Sequence, residues 1–277
     1  MRPLLTGCKK GSKIAKEAHG PFDKIYQLFT QVIFMKYFLD TAGTIPDGLG
    51  WEHFDPIHIA WLSVLVISAV VCSVLYRKSS AEKRKIWRWV LASLIVLNEI
   101  FKMVCLTIGG RYTVNYLPLH LCSINIFVIA IHAIKPSKLL DNLLYTVCIP
   151  GAIAALLFPT WTELPVMNFS HLHSFTIHIL LALYPIVLTA GGDIKPSAKE
   201  LPKSLLLLLG MAGAVYVVNL LLDTNYFFLM EAEKGNPLYL FKQAFGSHLI
   251  GFPVIIAGVL FVMYTLPWLF KKIFKKV

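Results

Sequence analysis

Seven stretches of the chain stay apolar for the length of a membrane-spanning helix, with polar turn residues between them. They run roughly over residues 56–76, 86–108, 117–134, 141–159, 171–190, 203–222 and 249–270. A spanning helix needs about 20 mainly apolar residues. The breaks have the composition of loops: Arg77-Lys78-Ser79-Ser80, Gly109-Gly110-Arg111, Lys135-Pro136-Ser137, Pro159-Thr160, Gly191-Gly192-Asp193 and Gly235-Asn236-Pro237. Ahead of the first span, Ile25, Leu28, Phe29, Val32 and Leu39 recur near helical spacing, with Lys24, Gln27, Gln31 and Lys36 between them. This pattern predicts an amphipathic helix over 25–41 lying in the interface. An eighth span there would bury Lys36 near its middle, at a cost. The expected fold is an all-α polytopic membrane helix bundle of about seven transmembrane helices. A basic N-terminal segment (1–50) precedes the bundle (51–277), which ends in a short basic tail.

Composition agrees with the pattern. The 277 residues are 57% hydrophobic and only 15% charged, against about 25% charge in a typical soluble domain. The formal net charge is +11. The basic residues gather between and after the apolar spans, where they set topology and meet anionic headgroups, so no nucleic-acid partner is expected. Counted loop by loop, one side of the membrane receives fifteen Lys and Arg, the other three. The positive-inside rule then places loop 77–88 and the C-terminus in the cytoplasm. The expected location is a bacterial plasma membrane, as a multi-pass integral protein. Residues 1–20 lack the apolar core of a signal peptide. Cys8, Cys72, Cys105, Cys122 and Cys148 form no CxxC pair, which argues against a disulfide framework or a zinc ribbon.

Polar groups within the spans carry the candidate chemistry, because lipid makes them expensive. Glu99 and Lys102 are three apart and can pair; the pair either fixes helix packing or lines a relay or binding site. Cys122 follows Pro118 and His120 near the start of the third span, with Asn125 on the same face. Free amides and the helix dipole at such a start stabilise an anionic sulfur, although a lone membrane cysteine more often simply packs. His171, His173 and His178 open the fifth span, and Ser174 stands one turn before His178. His178 lies deep enough to serve as a base to a thiol on a neighbouring helix; the alternative is a buried, hydrogen-bonded histidine. No compact histidine spacing suggests a metal site. At the end of the sixth span, Asn219 and Asp223 are i,i+4, followed by Asn225 and Tyr226. These either form an interfacial aromatic belt or orient a histidine or a lipid headgroup.

Three of these features occur together in one family. LPLHLC at 117–122, a histidine 56 residues later, and the Thr-Asn-Tyr-aromatic stretch at 224–229 resemble the YwaF-like family of integral membrane proteins, which includes transmembrane protein 164 of animals. The resemblance runs over about 55–230. Where the family continues with Lys-Pro and a Trp-Pro-rich stretch, this chain has Asn236-Pro237-Leu238-Tyr239 and Gly251-Phe252-Pro253. Animal members are described as acyltransferases that move fatty acyl chains between phospholipids with a cysteine and a histidine. The resemblance implies Cys122 and His178 in those roles, membrane phospholipids as partners and no cofactor. His120, Asn125, His171, Asp223, Asn225, Tyr226, Glu99 and Lys102 are the expected supporting or substrate-binding residues. The competing expectations are a small-molecule transporter lined by Glu99, Lys102, Asn125 and His178, and a non-catalytic membrane binding protein. No internal repeat favours the transporter.

Overall fold

A computed structural model describes residues 36–232 and 235–274. Its helices are α1 (Pro56–Arg77), α2 (Ala81–Ile108), α3 (Leu121–Ile134), α4 (Lys138–Leu157), α5 (Phe169–Gly191), α6 (Leu201–Leu222), α7 (Pro237–Phe245) and α8 (Gly251–Phe274). Six of the eight are long and apolar enough to cross a membrane. Residues 25–35 of the predicted amphipathic helix at 25–41 lie outside the described residues; residues 36–39 form a turn.

Local chemistry sets the helix starts. Asp55 caps α1 by accepting from the His58 N–H, with Pro56 in the first turn. Ser80 does the same for α2. Asn168 caps α5 by accepting from the N–H groups of Ser170 and His171. Gly192, with φ at 82°, closes α5 in the left-handed conformation.

The third apolar stretch is corrected in length. The sequence pattern places a span over 117–134 with Pro118 in its first turn, but α3 begins at Leu121, after an extended Leu117 and with His120 as N-cap. Leu117 precedes a proline, which disfavours helical backbone there. Fourteen residues reach roughly 21 Å, short of the ~30 Å hydrocarbon core. The fourth stretch also departs from regular helix. Its turn Leu144–Cys148 is a π-helix, lying directly before the first turn that holds Pro150. Proline brings no N–H and crowds the carbonyl four residues back, and a widened turn relieves both. The loop before the last span contains α7, a helix too short to show in the pattern of apolar spans. Leu240 and Phe245 are exposed on this short helix, as in a helix lying at an interface.

Helix α5 is the centre of the bundle. It packs against α1, α2, α3 and α4, and 61% of its spanning window is buried, against 6% for α1 and 11% for α6. The outer faces of α1, α2 and α6 show Val66, Ile67, Leu97, Leu209 and Leu221 to the surroundings, as lipid-facing surfaces do. The core is Ile95, Ile129, Leu144, Leu156, Phe175, Leu181 and Leu188.

Buried polar groups tie the helices together at both ends. At the end carrying loops 77–80, 135–137 and 191–200, His132 Nε2–H donates to Asp141 at 2.8 Å, and its Nδ1 pairs with the Tyr184 hydroxyl at 2.8 Å. Asn142 joins α4 to the rest: it donates to Ser204 and accepts from the Ser197 N–H and the Tyr264 hydroxyl. At the opposite end, residues 36–55 run across the mouth of the bundle. Asn168 Nδ2 donates to the carbonyls of Tyr37 and Asp40 at 2.7 and 2.8 Å, and Trp51 N–H donates to Thr162 O at 2.8 Å. Gly50 permits that approach, since a Cβ there would lie 2.2 Å from Thr162 O. His58 Nε2–H donates to Leu156 O at 2.7 Å.

Asn168 therefore both caps α5 and holds the N-terminal segment. Asn168→Ala is expected to cost about 1–2 kcal/mol for the cap alone, read as a lower melting temperature in detergent. Asn168→Asp keeps the cap acceptor, loses both donors and falls between. Equal melting of all three proteins would contradict this role.

Candidate functional site

Three elements bring polar side chains to the end of the bundle crossed by residues 36–55. The second half of α2 supplies Glu99 and Lys102, the start of α3 supplies Cys122, and the first half of α5 supplies His173 and His178. Lys102 Nζ lies 2.5 Å from Glu99 Oε1, and His173 Nε2 lies 3.2 Å from Glu99 Oε2. The carboxylate thus sits between an ammonium and an imidazole N–H, each side chain less than 15% exposed. The sequence pairs Glu99 with Lys102; His173, on another helix, is the partner that helical spacing alone does not reveal. Asn98, adjacent to Glu99, donates from Nδ2 to Thr176 Oγ1 at 2.8 Å, about one turn past His173 on α5, so α2 and α5 are joined by two polar links.

Lys102 is the common neighbour. Its charge is within electrostatic reach of Cys122, His120, His173 and His178. The contacts of His178 fix its tautomer. Nδ1 lies 2.6 Å from Ser174 O; a carbonyl only accepts, so Nδ1 carries the proton and Nε2 keeps its lone pair. The Ser174 contact expected from the spacing is thus made by the backbone carbonyl. Trp161 stacks on the ring at 5.4 Å and 9°. That tryptophan lies in the loop between α4 and α5, and nothing in the hydropathy pattern marks it.

Cys122 is the second residue of α3, closer to the helix start than the sequence suggests. His120, the N-cap residue, makes no side-chain cap bond. No hydrogen bond joins Cys122 to His178 among the described residues. Cys148, the last residue of the π turn of α4, is within electrostatic reach of Cys122, and its thiol donates to Leu181 O at 3.3 Å. Asn125 is 3% exposed and its Oδ1 has no partner among the described residues.

The remaining expected residues divide in two. His120 faces this end: its ring meets Tyr226 edge-on at 5.1 Å and Phe228 at 5.9 Å. The Tyr226 hydroxyl donates to Val114 O, and its backbone N–H bonds Asn219 Oδ1. Tyr226 therefore braces the segment before α3. His171 turns toward α1, accepting from Trp61 Nε1 at 3.0 Å beside Trp51 and Phe175. Asp223 is exposed in left-handed conformation at the end of α6. Asn225 is committed to its own loop, through Met230, Glu231 and the Glu231 carbonyl. No group of three or more His, Cys, Asp or Glu side chains is placed to hold a metal among the described residues.

The fold and this site define a multi-pass helical membrane protein with a half-buried cysteine, buried histidines and an ion pair at one end. The family model for the TMEM164 family matches residues 49–264, and the chain belongs to that family. The match covers every helix that contributes to the cluster. Neither the curated proteins nor the solved structures compared with the chain give a match.

Removing one member of a buried ion pair strands the other, at about 3–5 kcal/mol. Glu99→Ala should therefore destabilise the protein strongly. Glu99→Gln combined with Lys102→Met should recover much of the loss, measured by thermal unfolding in one detergent. Additive losses in the double variant would show that the pair is not coupled.

Proposed function

We infer that the protein is a membrane-embedded lipid acyltransferase or lipid hydrolase working through Cys122 and His178. The observation that carries this reading is the state of His178. Its Nδ1–H is committed to Ser174 O and its Nε2 is free to take a proton, at the end of the bundle where Cys122 opens an uncapped helix. Nucleophile, base and orienting group are the parts of covalent acyl transfer.

In the proposed sequence, His178 Nε2 takes the Cys122 thiol proton as the sulfur attacks the ester carbonyl of a phospholipid bound between them. The unpaired N–H groups in the first turn of α3 face the developing oxyanion, the role such donors fill elsewhere. The C–O ester bond breaks, and the leaving lyso-lipid oxygen receives the proton from His178. A second hydroxyl, of lipid or water, then gives its proton to His178 and attacks the thioester, and Cys122 leaves as the thiolate and is reprotonated. Lys102, within reach of both groups, supplies a fixed positive charge where negative charge develops, with Glu99 and His173 holding it in place. Phe101 and Val104, exposed on α2 next to Lys102, give acyl chains an apolar approach from the bilayer. The positive-inside asymmetry of the loops supports an outer-leaflet position for this site.

The test is mass spectrometry of the full-length protein incubated with bilayer phospholipids. Wild type is expected to carry an acyl group on Cys122 and to release lyso-lipid or re-acylated products. Cys122→Ala should lose both. His178→Ala should slow product formation at least about 100-fold, the usual scale for a positioned base. Unchanged products in folded Cys122→Ala protein would overturn the assignment.

A further inference from the structure

The opposite end of the bundle holds a second polar site. A cavity of about 490 Å³ opens there, lined by Ser79, Ala81, Arg84, Lys85, Arg88 and Asp193. Its charges do not balance. Asp193, its only acid, is already engaged: one oxygen accepts from the Tyr76 hydroxyl and the other lies 3.3 Å from Arg84. Arg84 is further held by the carbonyls of Arg77, Ser79 and Gly191 and lies over the Tyr76 ring at 5.2 Å. This arrangement builds the wall of the cavity and leaves no carboxylate for the other two cations. Arg88 is half-buried, and its Nε has no hydrogen-bond partner among the described residues. It points inward, within electrostatic reach of Tyr76 and Tyr184. Lys85 likewise has no acidic partner among the described residues. A half-buried guanidinium without an anion is costly, and its planar fork suits a phosphate. The first turn of α2, at Ala81, adds free amides at the positive end of a helix dipole.

We propose that this cavity binds the phosphate of an anionic phospholipid. The surroundings favour a lipid over a free ion. Ile86, Trp89 and Val90 are exposed on the turns of α2 that carry Lys85 and Arg88, so an acyl chain has an apolar path beside the phosphate. A tryptophan at this level is characteristic of the membrane–water interface. The site is separate from the cysteine–histidine cluster: Arg84 and Glu99 are fifteen residues apart on one helix, roughly 22 Å at the helical rise. A lipid held here acts as a structural or regulatory ligand, since neither Cys122 nor His178 reaches it.

Native mass spectrometry of the full-length protein, released from detergent with added phosphatidylglycerol or phosphatidylcholine, tests the proposal. Wild type should retain phosphatidylglycerol in preference to phosphatidylcholine. Lys85→Gln/Arg88→Gln should retain it about 30-fold more weakly, on the scale of two basic residues near a membrane surface. Lys135→Gln/Lys138→Gln, which removes the same charge from the same end, should bind as wild type. Equal retention of the two lipids, equal loss in both double variants, or unchanged binding in the pocket variant would overturn the proposal. So would displacement of the lipid by excess inorganic phosphate, which would make this a site for the free ion. A matched melting temperature for each variant separates loss of the site from loss of the fold.

Discussion

Hydrocarbon offers no partner to a polar side chain, so each charged or hydrogen-bonding group in these spans has to be satisfied inside the bundle. Helix α5 is where that requirement is concentrated. Along one helix, Asn168 holds the N-terminal segment, His171 takes the Trp61 indole, and His173 completes the Glu99 ion pair. Thr176 receives Asn98, and Tyr184 meets His132. A helix with that many internal obligations has to be surrounded, and α1 to α4 surround it. The lipid-facing helices α1 and α6 are apolar on nearly every side and carry few such links.

The same constraint shapes the site. Lys102 persists within a span because Glu99 neutralises it, and Glu99 is fixed by His173 as well. The fixed ammonium is then within electrostatic reach of Cys122 and His178 and pairs with neither among the described residues. His178 is oriented by a backbone carbonyl and a stacked indole, which leaves one ring nitrogen uncommitted. In the proposed reaction Cys122 and His178 are the nucleophile and base, and rigid support around such a pair is what acyl transfer asks of a protein.

Much of this was legible in the sequence. The apolar runs give the spans to within a few residues at α1, α5 and α6. The spacing of Glu99 and Lys102 gives their pairing, and the alternation of basic loops matches the two ends of the bundle. Features that depend on a second helix were not legible. His173 is one histidine among three until α2 is placed beside α5, and Trp161 has no periodic pattern to mark it. The short α3 was hidden because Leu117 and Leu119 continue an apolar run that the backbone before Pro118 does not follow as helix. The π turn of α4 leaves no trace in hydropathy, and Pro150 is its only local sign. Asp223 and Asn225 matched a motif in sequence, yet the structure gives one to solvent and the other to its own loop.

The central claim is that Cys122 and His178 act as a unit. The most direct measurement is the alkylation rate of Cys122 by a small thiol reagent in bilayer nanodiscs, resolved by peptide mass spectrometry. If His178 takes the thiol proton, His178→Gln should slow labelling of Cys122 about tenfold or more, while Cys72, half-buried on α1, labels at its former rate. Equal rates at Cys122 in folded wild type and His178→Gln would contradict the account, leaving the cysteine as a packed side chain.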